Sequence, residues 1–167
     1  MLRPFVIPGC LVLVLALSGC GSLTAHVRGI APLNPNEYGE STPVDVRFYQ
    51  LRRADRFRAA SVEQLWTASD AALATDRATD ALVTTVVPGA AGDEPAAIDL
   101  GRRCSDTRFV GVLALFRHPD ARDARALLVP VDELDDAVLD FSGSSIAVAK
   151  RATEAHVAKG ETARSSR

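Results

Sequence analysis

The sequence predicts a mainly β protein: a two-sheet β-sandwich with a short helical insertion. Two observations carry this. Apolar residues recur with a period of two along most of the chain, the spacing that puts alternate side chains on one face of a strand. A single stretch breaks that rhythm with steps of three and four, the spacing of one helix face.

The N-terminus reads as an export signal. Arg3 is the one charge ahead of a mainly apolar run, Phe5 to Leu17, that Pro8 and Gly9 interrupt. The run falls short of the about 20 apolar residues a spanning helix needs. It closes on Leu17-Ser18-Gly19-Cys20, which resembles the lipobox of bacterial lipoproteins, cut before a cysteine whose thiol already carries a diacylglycerol. Ile7-Pro8-Gly9-Cys10 competes poorly because little apolar sequence precedes it. The alternative is an ordinary signal peptide that happens to end in Cys. The expected organisation is a lipoprotein signal peptide at 1–19, a sandwich domain at 20–150 and a flexible tail at 151–167, with Cys20 as the lipid attachment point. Each buried methylene contributes about 0.8 kcal/mol, so two or three acyl chains make release negligible. Gly21 stands where enteric bacteria place an inner-membrane-retaining aspartate, which leans toward the periplasmic face of the outer membrane.

The strands follow in order. Ala25, Val27 and Gly29 alternate with His26, Arg28 and Ile30, a half-buried strand. After the polar stretch "LNPNEYGESTP", Val44, Val46 and Phe48 share one face and Asp45, Arg47 and Tyr49 the other. Ser61-Val62-Glu63-Gln64 has the form of a capping box, and Val62, Leu65, Trp66, Ser69 and Leu73 then mark one helix over Val62 to Ala74. Trp66 reads as core packing or as a ligand platform. "DALVTTVV", Asp80 to Val87, is rich in β-branched residues and stops at Pro88-Gly89. Ala97 to Leu100 is a short candidate strand. "RFVGVLALF", Arg108 to Phe116, is apolar on both faces and so central. "RALLVPV" carries Pro130, which suits an edge or a strand end. "AVLDF" and "SIAVAK" flank Ser142-Gly143-Ser144 as a last hairpin.

Composition excludes several function classes. The formal net charge is −2, with no concentrated basic face of the kind nucleic acid demands. Of the three cysteines, Cys10 leaves with the signal and Cys20 is acylated, so Cys104 has no partner and the fold must rest on burial. Cys104, in "GRRCSDT", is either an incidental thiol or a reactive thiolate beside two arginines. His26, His118 and His156 lie far apart without metal-ligand spacing. "DELDD", Asp132 to Asp136, lacks the oxygen spacing of a calcium loop and reads as a solvated acidic connection. Arg52, Arg53, Arg56 and Arg58 form a basic cluster that either caps loops or meets headgroups or an acidic partner. No phosphate loop, nucleophile elbow or Cys-x-x-Cys occurs. No catalytic residue, metal or cofactor is expected.

Asn34-Pro35-Asn36-Glu37 with Gly39, then Pro43 and a strand ending Phe48-Tyr49-Gln50-Leu51, carry a resemblance. The chain resembles the TssJ family of type VI secretion lipoproteins, which typically shows N-P-D-E-x-G and a strand ending I/L-Y-Q-L. "FVGVLALFRHPD" and "RALLVPV" extend the likeness to about Lys150. The family often has Asp where Asn36 stands and Trp where Ala124 precedes Arg125. The resemblance implies a transthyretin/C2-like sandwich tethered to the outer membrane. It also implies binding to the periplasmic C-terminal domain of TssM, with TssL in the same envelope-spanning complex. In that family the loop between the first two strands is a principal contact; by position it is Asn34, Pro35, Asn36, Glu37, Tyr38, Gly39, Glu40, Ser41 and Thr42. The composition suits docking: Pro35 and Pro43 restrict the ends, Gly39 can turn the tip, Tyr38 offers amphipathic surface, and Glu37 and Glu40 can steer a basic partner. The alternative function is a lipid-anchored periplasmic β-sandwich that binds a small molecule or glycan, or a periplasmic hydrolase.

Overall fold

The computed structural model describes residues 21–118 and 122–150. The expected signal peptide, Cys20 and the expected tail therefore lie outside the described residues. Within them eight strands form two four-stranded sheets, as the alternation anticipates. One sheet holds β1 (Ser22–Leu33), β4 (Ala96–Arg102), β7 (Ala137–Gly143) and β8 (Ser145–Lys150) in the order β4-β1-β7-β8. The other holds β2 (Val44–Leu51), β3 (Leu82–Val86), β5 (Phe109–Ala114) and β6 (Ala126–Pro130) in the order β3-β2-β5-β6. β1 runs parallel to β7, and the remaining ladders are antiparallel.

The main core lies between the sheets, where Val27, Leu33, Val46, Phe48, Val112, Leu139 and Phe141 converge. A second core explains the two-faced apolarity of β5. Tyr49, Leu51 and Leu113 point to the outer face of their sheet and meet Phe57, Leu65 and Leu73 from three short helices, with Ala60 from the link between the first two. These are α1 (Asp55–Ala59), α2 (Val62–Thr67) and α3 (Ser69–Leu73). Gly111 makes room here: a Cβ on it would sit 2.7 Å from the Phe57 ring. The Tyr49 hydroxyl donates to the Leu65 carbonyl at 2.6 Å, tying α2 to the sheet.

The single helix expected over Val62 to Ala74 is broken. The capping box at Ser61 and Gln64 forms as expected, but Ala68 leaves helical geometry at φ −139° and separates α2 from α3. In one straight helix, eight residues would rotate Leu73 about 80° around the axis from Leu65. With the break, both side chains are fully buried. The α1 turn has no counterpart in the sequence reading. Its neighbours Arg52 and Arg53 serve as loop caps, Arg52 on Asp106 and Arg53 on the buried Asp76. "DELDD" is an acidic surface, yet it is a 3-10 helix, Val131–Asp136, pinned by buried Leu134.

Gln50 closes the side between the sheets. It is 3 % exposed; its amide donates to the Leu100 and Arg102 carbonyls of β4 and its oxygen accepts from Thr107. β6 is an edge strand ending at Pro130, as its proline suggests, and the 142–145 hairpin joins β7 to β8. On the outer face of the first sheet, the Arg28 guanidinium makes a bidentate pair with Asp140 at 2.9 Å, bridging β1 to β7.

Candidate functional site

The loop between β1 and β2 is not a hairpin. β1 belongs to one sheet and β2 to the other, so residues 34–43 cross the end of the sandwich. That crossing accounts for their number.

Asn34 locks the base. It is 4 % exposed and adopts φ 45°, a left-handed conformation that Asn tolerates better than most residues. Its Nδ2 donates to Thr42 Oγ1 at 3.0 Å and to the Pro43 carbonyl at 2.8 Å. Its Oδ1 accepts from the Arg117 amide beyond β5 at 2.8 Å, and its own amide donates to the Gly143 carbonyl of the β7–β8 turn at 2.6 Å. Thr42 Oγ1 returns a bond to the Asn34 carbonyl, and Ser41 Oγ accepts from the Leu33 amide. One residue, through its side chain and its own amide, thus joins both ends of the loop to the ends of both sheets.

Asn36 organises the tip. Its Oδ1 accepts from the amides of Tyr38 and Glu40, both at 2.9 Å, while its Nδ2 donates to Glu40 Oε2 at 2.8 Å. Gly39 takes φ 78°, as a tight turn there requires, and its amide reaches the Asn36 carbonyl. Tyr38, held between these bonds, is 79 % exposed, and Glu37 beside it is exposed too. Glu40 is partly engaged within the loop, so Glu37 is the freer of the two carboxylates. Pro35 and Pro43 flank this arrangement. Within the expected contact loop, Asn34 and Asn36 brace the backbone and present Tyr38. A signal for Asn34 existed, since an Asn directly after a strand is a favoured occupant of left-handed backbone.

Elsewhere the chemistry is sparse. Among the described residues no three His, Cys, Asp or Glu side chains group to hold a metal, and no helix is long and apolar enough to cross a membrane. Cys104 is half-buried, its sulfur 4.0 Å from the Ala78 carbonyl. Trp66 packs on the second core and also stacks on Arg47, whose guanidinium carbon lies 4.0 Å from the indole centre.

A family model described as "Type VI secretion lipoprotein, VasD, EvfM, TssJ, VC_A0113" matches residues 22–150. Solved structures share the fold. A chain in a structure described as "Type VI membrane complex" is 25% identical with a TM-score of 0.66, covering 77% of this chain and 97% of its own. The lipoprotein TssJ1 of the type VI system from Pseudomonas aeruginosa is 22% identical with a TM-score of 0.64, covering 79% and 97%. A chain in a structure described as the TssM C-terminal domain from EAEC is 23% identical with a TM-score of 0.64, covering 77% and 97%. No curated protein matches the chain.

Proposed function

This chain belongs to the type VI secretion lipoprotein family, and from that premise we propose that it is a non-catalytic adaptor. In this reading Cys20 is acylated and holds the sandwich at the periplasmic face of the outer membrane. The β1–β2 loop, Asn34 to Thr42, grips the periplasmic C-terminal domain of TssM, and TssL completes the same membrane complex. The observation that carries the reading is the preorganised loop: two asparagines fix its base and tip while Tyr38 stands 79 % exposed. Little conformational entropy remains to be lost on docking, and an amphipathic aromatic occupies the position where interface energy concentrates. The likeness to chains from a type VI membrane complex and from a TssM structure supports the choice of partner.

Calorimetry with a periplasmic TssM fragment tests the docking. Tyr38→Ala, or Glu37→Arg with Glu40→Arg, weakens binding while the unfolding transition stays in place; unchanged affinity in both sinks the loop as the docking element. The anchor is tested separately. Cys20→Ser releases the protein into the soluble periplasmic fraction and abolishes incorporation of labelled palmitate, whereas continued outer-membrane fractionation contradicts it.

A further inference from the structure

Between α2 and the end of β5 lies a cleft of about 570 Å³, lined by Val62, Glu63, Trp66 and Thr67 of α2 with Leu115 and Arg125. It occupies the loop end of the sandwich. Leu115 follows β5 directly and its amide bonds the Asp45 carbonyl; two residues on, the Arg117 amide is held by Asn34. Arg125 ends the short helix α4 (Arg122–Arg125) that leads into β6.

Two arginines belong to this region, Arg125 in the lining of the cleft and Arg47 against Trp66. Among the described residues, the buried side-chain nitrogens without a hydrogen-bond partner are Nε of Arg47 and Nε of Arg125. Neither arginine takes part in an ion pair there, although Arg28, Arg52, Arg53 and Arg77 all do. Glu63 lines the α2 side, yet it forms no ion pair either. Arg47 lies against the Trp66 ring and donates to the Trp66 carbonyl at 2.6 Å, so a second cation backs the indole. Arg125 is half-buried in the cleft wall and carries no counter-charge among the described residues, and a carboxylate is the acceptor a guanidinium fits best, through paired charge-assisted bonds from its outer nitrogens. The apolar floor of Val62, Trp66 and Leu115 asks for an apolar neighbour next to that carboxylate.

We propose that this cleft is the second half of the docking surface and takes an acidic, partly apolar segment of the protein that grips the β1–β2 loop. The proposal rests on the adaptor reading. Position decides for a protein and against a lipid headgroup: β1 separates Ser22, two residues from Cys20, from the loop end by about 40 Å of extended chain. Size agrees, because a stable interface buries about 1,200–2,000 Å² and a ten-residue loop alone falls short. Loop and cleft together give one aromatic anchor and one cationic anchor on the same end.

The test uses the mature acylated chain in detergent, titrated with the periplasmic TssM fragment. Arg125→Glu and Thr67→Glu each weaken binding by at least about tenfold, with an unchanged unfolding midpoint. Tyr38→Ala serves as the reference. If Tyr38→Ala weakens binding but both glutamate variants bind like the wild type, the cleft is overturned and the loop reading stands. If wild type does not bind the fragment, both fall together. A photo-crosslinker at Thr67 decides independently of folding effects at Arg125. Attachment to an acidic stretch of the fragment supports the proposal; attachment to a basic or wholly apolar stretch, to lipid or to a second copy overturns it.

Discussion

Asn34→Ala removes the bonds to Thr42, Pro43 and Arg117 in one step. Each contributes about 0.5–1.5 kcal/mol net, and the Pro43 carbonyl and Arg117 amide are left needing new partners. Alanine at φ 45° adds about 1 kcal/mol of left-handed strain. The expected loss is about 3–4 kcal/mol, large against a typical total stability of about 5–15 kcal/mol. Asn34→Gly separates the two causes: it loses the same bonds but tolerates the backbone, so it should fall about 1 kcal/mol short of the alanine variant, at roughly 2–3 kcal/mol. Urea unfolding at constant m-value measures both. Binding to the TssM fragment should weaken alongside, because the loop must then be ordered on docking. If Asn34→Ala unfolds within about 0.5 kcal/mol of wild type, the ordinary scatter of a surface change, Asn34 is not the lock.

Two further outcomes follow from the packing. Burial pushes the Asp76 carboxyl upward, but the hydrogen bonds from Arg53 and the Arg56 amide outweigh it and hold it below the usual 3.8. A folded-state value below the unfolded one gives stability that is present above pH 4 and lost as pH falls through the folded value. Urea midpoints should therefore be flat from pH 7 to 5 and drop below pH 4, with Asp76→Asn flattening that drop; an unaltered slope refutes the assignment. Because Arg53 is 65% exposed, solvent screening keeps the effect small. Gly111→Ala drives a methyl group against the Phe57 ring and should cost about 1–3 kcal/mol, read from the unfolding midpoint; a neutral result means that α1 yields freely.

How much of this was legible depends on the range of the interaction. The alternation in β2 placed Val46 and Phe48 inward and Arg47 and Tyr49 outward, because a strand's period of two is a local property. Pro130 marked the edge for an equally local reason, its missing donor. Partition into sheets was not legible. Pairing β1 with β7 joins residues more than a hundred positions apart, and nothing near Arg28 announces Asp140. The α1 turn, in "DRFRA", has one buried side chain and so no period to detect. In the loop, Tyr38 and Gly39 were readable from residue type, while the bonding of Asn34 and Asn36 was not. An asparagine looks the same in sequence whether it touches a partner or braces its own chain. Arg47 and Arg125 were equally silent, since a guanidinium nitrogen without an acceptor is visible only once its surroundings are packed.

The placement of β1 has a mechanical consequence. Under the proposed anchoring, tension enters near Ser22 and leaves just beyond Leu33, at the two extremities of one interior strand held by β4 on one flank and β7 on the other. Pulled along its own axis, such a strand is stressed in shear. Its ladder bonds lie across the direction of pull and must yield together, with the Arg28–Asp140 clasp adding to their resistance. Attachment through neighbouring hairpin ends would instead peel the sheet one rung at a time. A recoiling apparatus would thus strain the lipid foothold or the grip on its neighbour before it tore this sandwich open.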